Sequence, residues 1–150
     1  MHLLIRLASG SVFYADPVTW PGKTGRPGKH GMALTCHNDP SQANPEPGES
    51  LTLPDTGLYG TVRVDGWRGV HPLIHGDRGW FVGWDGPLPI LRGTVLRVRV
   101  ERLPDSRTPH KTMWLWHAGP APLSLDELWC AYLARFDEEH ALKFARPRWA

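Results

Sequence analysis

The chain has 150 residues, 41% hydrophobic and 21% charged, with a formal net charge of +2, which fits one globular domain and excludes long intrinsic disorder. Its 16 glycines and 15 prolines exceed the background of roughly 12% and exclude a helical bundle or coiled coil in favour of short strands joined by turns. No apolar run of about 18 residues is present to span a membrane, and the opening Met1–Leu7 meets Arg6 too early to read as a signal peptide.

In chain order, residues 3–14 read as a strand, a break at Ser9-Gly10-Ser11 and a second short strand. A domain seldom begins inside a strand, so the expectation is a cut through a larger fold. Residues 16–50 carry Pro, Gly, Asn, Ser and Lys with little apolar periodicity and read as a long loop. Within it, Lys23, Arg26 and Lys29 sit among glycines and prolines. Such a segment suits a phosphate backbone or a narrow minor groove, or equally a solvated surface loop.

From residue 51 onward strands dominate. Residues 59–67 alternate polar and apolar side chains, the pattern of a half-buried antiparallel strand. In 90–102, Val and Leu alternate with Arg97, Arg99 and Glu101, which predicts one buried and one charged face. Residues 111–117 follow a turn over 103–109 and are expected to pair with that strand as a hairpin. Ser124-Leu125-Asp126-Glu127 is a capping box with Leu123 and Leu128 at the staple positions, and Pro147 closes a run free of Gly and Pro, so a helix is predicted over 124–146.

With ~100° per residue and Tyr132 set at zero, Arg135 falls at ~300°, Glu139 at ~340° and Arg146 at ~320°. These four polar groups share one stripe beside the apolar Trp129, Leu133, Phe136 and Phe144. A carboxylate flanked by cations suits a divalent metal beside a phosphodiester. The plain alternative is a surface ion pair between Arg135 and Glu139 at i, i+4.

The spacing Tyr132, two residues, Arg135, three residues, Glu139, six residues, basic residue resembles the C-terminal signature of DDE transposases of bacterial insertion sequences. The stretch Arg135-Phe136-Asp137-Glu138-Glu139-His140 and the upstream segments at 25–31, 58–64, 91–104 and 114–120 are also similar to one such group, so the likeness covers nearly the whole chain. The resemblance implies an α+β fold: a truncated ribonuclease-H-like core of one or two strands plus a C-terminal catalytic helix, with a mostly antiparallel β insertion. Residues 3–8 would be the core strand, 12–118 the insertion and 124–146 the catalytic helix of a single partial domain.

The same resemblance implies Glu139 as catalytic, metal-binding glutamate, with Tyr132, Arg135 and Arg146 on phosphates of the transposon end. It implies Mg2+ or Mn2+ as the metals of the intact family, and terminal inverted repeat and target DNA as partners. A possible homodimer belongs to the intact parent. Trp67, Trp80 and Trp84 are candidates for stacking on an unpaired base, against a core role for each.

The departures count as well. Both family aspartates precede the strand at which this chain starts, and Asp77 reads as a turn residue. Arg146 replaces the family's lysine, and Pro147 disfavours helical geometry there. The expectation is therefore a fragment truncated at both ends that binds metal weakly and does not cleave DNA alone; the alternative is a non-catalytic DNA-binding module. Cys36 and Cys130, far apart and without a C-x-x-C companion, fit a reducing cytoplasm. Cys36 with His37 lacks an orienting partner for nucleophilic chemistry, and Pro72 makes His71 and His75 an improbable helical metal pair.

Overall fold

A computed structural model describes residues 1–145 apart from 19–21, 23, 26, 27, 29, 38–42, 55, 58 and 103–111, and for residues 80 and 136–145 the backbone alone. Seven strands form one sheet: β1 (Leu3–Arg6), β2 (Val12–Tyr14), β3 (Ala33–Thr35), β4 (Glu49–Leu53), β5 (Val62–Pro72), β6 (Gly93–Val100) and β7 (Thr112–Ala118). Their order is β1-β7-β6-β5-β2-β3, with β4 also paired to β5. Every pairing is antiparallel. One helix, α1 (Leu125–Ala145), follows.

Alternation fixes which side chain faces which way. The rows Val62–Val100, Val64–Val98 and Leu96–Leu115, set by strand register, face α1. The rows Asp65–Arg97–Trp114 and Trp67–Val95–Trp116 face the other way. On that second side the β2–β3 ribbon lays Phe13 and Leu34 over Trp67, Val95, Trp114 and Trp116, building one half of the core. The ribbon reaches there because β5 bends: the register shifts between Arg68 and Val70, and Gly69 between them has φ +68°. A β-branched or bulky residue at such an angle is strained, so glycine sits at this bulge.

α1 begins as the capping box predicts. The Ser124 backbone N–H donates to Glu127 Oε2 at 2.7 Å, and the Glu127 N–H donates to Ser124 Oγ at 3.1 Å. Leu125, Leu128 and Trp129 then bury against Val62, Val64, Leu96, Val98 and Leu115. A Cβ on Gly66 would stand 2.7 Å from Leu125 Cδ2, so any larger residue there would make the Leu125 side chain shift at the helix start. Each fully buried Leu of this kind stabilises by about 1.5–3 kcal/mol.

The ribonuclease-H-like expectation is overturned. β1, read from sequence as a core strand over 3–8, spans Leu3–Arg6 and hydrogen-bonds antiparallel to β7 as the edge of the same sheet. Core strand and insertion are therefore, among the described residues, one continuous antiparallel structure, a small β-rich domain with the α-helix α1 on one face. The physical reason is register: Leu4 and Ile5 bring an inward side chain to each face beside His117 and Trp116, and β7 offers the free ladder edge. Two strands, β3 and β4, lie wholly or partly inside the stretch expected to be loop. Among the described residues no helix is long and apolar enough to cross a membrane.

Candidate functional site

Of the residues singled out from sequence, some lie among the described residues and some do not. Tyr132 is half-buried, packed against the α1 side of the core and stacked on Trp129 with ring centroids 6.4 Å apart. Arg135 is exposed one turn further along α1. Residue 139 lies within the helical backbone, but its side chain, like Arg146, Lys23, Arg26 and Lys29, falls outside the described residues. Trp67 is buried and donates its indole N–H to the Pro45 carbonyl at 2.9 Å, which makes it core rather than a stacking platform. Trp84 is exposed, edge-on to Phe81. The Trp80 side chain is outside the described residues. Burial pushes the Cys36 thiol up to about 12, which leaves it inert as a nucleophile.

Among the described residues no group of three or more His, Cys, Asp or Glu is arranged to hold a metal ion.

What the fold does assemble is a cluster that sequence reading passed over. Asp65 is wholly buried on the ribbon side of β5. Its Oδ2 accepts from Arg97 Nε at 3.1 Å and Nη2 at 2.8 Å, and from Arg99 Nη2 at 2.9 Å. Its Oδ1 accepts from Ser50 Oγ at 2.7 Å and Arg63 Nε at 3.1 Å. Burial alone would raise this carboxyl, but the Ser50, Arg97 and Arg63 hydrogen bonds overcome it and hold it below the usual carboxylate range. Arg97 also lies over the Trp67 and Trp114 rings, 5.3 and 5.7 Å from their centroids, a cation–π contact that fixes its plane.

Three guanidiniums thus share one carboxylate. Arg63 and Arg99 stand directly opposite each other in register, an arrangement that is destabilising for like charges. Both side chains remain substantially exposed, at 52% and 41%. Arg99 Nε is shut from solvent and has no hydrogen-bond partner among the described residues. The signal available in sequence was Arg63, Asp65, Arg97 and Arg99 at alternate positions of two strands, but their convergence depends on a pairing register that no single strand encodes.

Two histidine pairs lie elsewhere. His71, wholly buried, contacts His30 (Nε2 to Nδ1, 2.9 Å), and its Nδ1 is 3.7 Å from Asp16. His117 Nε2 contacts His2 Nδ1 at 3.1 Å. Burial first, then the neighbouring imidazole, pushes both His71 and His117 below the ordinary 6.5, with Asp16 opposing at His71. Unfolded chains take up these protons near 6.5 while the folded protein resists, so acid favours the unfolded state. The melting temperature is therefore expected to fall steadily as the pH drops from about 6.5 toward 5, before carboxylates titrate. A melting temperature flat across that interval, measured by circular dichroism, would contradict this.

No family model matches the chain, and comparisons with curated proteins and with solved structures found no match.

Proposed function

We propose that this chain is a DNA-binding β module of a DDE-transposase-type polypeptide, holding nucleic-acid phosphates on its arginine face without cleaving DNA by itself. The observation that carries the reading is the Arg63–Arg97–Arg99 cluster gathered on the single buried carboxylate of Asp65. Two units of positive charge are left in excess there, and guanidiniums match phosphate oxygens in geometry as well as charge. Asp65 occupies one edge of each guanidinium, so Arg63 keeps both Nη groups, and Arg97 and Arg99 keep Nη1, without a hydrogen bond among the described residues. The transposase part rests on the spaced signature Tyr132, Arg135, Glu139, Arg146 and on likeness through most of the chain. The helix bearing that signature is anchored to the sheet through Leu125, Leu128 and Trp129.

The test is fluorescence anisotropy with duplex DNA over a series of salt concentrations. Three phosphate contacts give a slope of log K against log salt near about −2.7. R63Q/R99Q keeps both Arg97 hydrogen bonds to Asp65 Oδ2 and should flatten that slope by about 1.8 and weaken binding alike for all sequences. Unchanged binding would remove the arginine face from the reading. With Mg2+ and supercoiled DNA the chain is expected to leave the DNA intact, and nicking that Glu139→Gln abolishes would overturn the absence of cleavage.

A further inference from the structure

On the opposite, helix-facing side of the sheet, away from the arginine cluster, the register places Arg68, Thr94 and His117 side by side across β5, β6 and β7. With Gly69, Arg92, Gly93, Gly119, Ala121 and Pro122 they line a groove of about 210 Å³. We propose that this groove binds a phosphate-type oxyanion, a ligand separate from the arginine face.

The floor is built from two polar residues of the sheet, Thr94 and His117. Thr94 is 6% exposed, and its hydroxyl makes no hydrogen bond among the described residues. His117 is 3% exposed, and its Nε2 is taken by His2, which leaves Nδ1 as the second polar atom at the floor.

The rim supplies charge. Arg68 spends Nε and Nη2 on Glu49 and on the Leu123 carbonyl, and its Nη1 has no partner among the described residues. Arg92 spends only Nε, on Asp16, and keeps both Nη groups. The two carboxylates each take only part of these guanidiniums. The remaining donors, two guanidinium groups and a hydroxyl, match an oxyanion that accepts on several sides. Gly69 at the lip has φ +68° and nothing within 4 Å of an added Cβ, which leaves the approach open.

Free phosphate and a backbone phosphate of DNA share this chemistry, and the experiment separates them. Melting curves are recorded in inorganic phosphate and in chloride at matched pH and ionic strength. At about tenfold the dissociation constant, phosphate should raise the melting temperature by roughly 3 °C. Thr94→Val and R92Q, placed in the R63Q/R99Q background so that the arginine face does not contribute, should each remove most of that increment. If Thr94→Val and R92Q also weaken duplex binding, the groove takes a backbone phosphate; if they leave it unchanged, the occupant is a free oxyanion. Equal melting temperatures in phosphate and chloride, or an increment that survives both groove variants, would overturn the proposal.

Discussion

Asp65→Asn is expected to lower stability by about 3 kcal/mol, a fall in melting temperature of roughly 6–12 °C for a domain of this length. The amide keeps the volume of the carboxylate, so no cavity opens and packing against Ser50 is preserved. What is lost is the negative charge that pairs with Arg63, Arg97 and Arg99. Removing one member of a buried ion pair commonly costs about 3–5 kcal/mol, because the remaining charge is left uncompensated. Here the arginine side chains are 23–52% exposed, and water relieves part of their repulsion, which sets the expectation at the lower end. Removing guanidiniums acts in the opposite sense: R63Q/R99Q relieves like-charge crowding and should cost little stability while weakening DNA binding. A purely structural ion cluster would show the Asp65 effect and no DNA effect from the arginines. A phosphate-binding face shows both. Thermal melts of Asp65→Asn within about 2 °C of the unaltered chain would mean that the carboxylate does not organise the cluster.

Local signals in the sequence were read correctly where the physics is local. The capping box at Ser124 and Glu127 forms both of its hydrogen bonds, and Leu123 and Leu128 pack at the helix start as the staple requires. The alternation in 90–102 places Leu96 and Val98 toward the helix and Arg97 and Arg99 toward the other face, and β6 pairs with β7 as a hairpin. Where a contact joins distant residues, the sequence is silent. Nothing in Leu3–Arg6 says that its partner is Thr112–Ala118 rather than a separate core sheet. β4 is short, with exposed Glu49 and Ser50, and its turn-rich surroundings hide it. Asp65 reads as a polar position on the outer face of a half-buried strand. It is buried only because Ser50 of β4 and Arg97 and Arg99 of β6 close over it from both sides. The stripe on the last helix is likewise a local deduction with a non-local correction. Tyr132 lies on the boundary of the core, half-buried against Trp129, because the helix docks on a sheet that the helical periodicity alone does not reveal.

Trp129→Ala should have the largest effect of any single change in α1, a loss of about 3–5 kcal/mol, set against a total stability of about 5–15 kcal/mol for a domain. Trp129 is 4% exposed and meets Tyr59 edge-on with centroids 5.8 Å apart, besides stacking on Tyr132. Its indole closes the α1 side of the core at the second turn of the helix, a duty shared by Leu125 and Leu128. Truncation leaves a cavity that the sheet beneath cannot fill, since Val62, Val64 and Leu96 are held in register by their ladders. Amide exchange should therefore accelerate first along Leu125–Ala145, ahead of β5 and β6, because a helix this short of contacts is stable mainly through its packed face. Trp129→Phe retains an aromatic body and should recover more than half of the loss. An exchange pattern in which helix and sheet open together would show that α1 has no independent melting step. A stability loss under about 1 kcal/mol would show that the helix, and with it Tyr132 and Arg135, is not clamped by this residue.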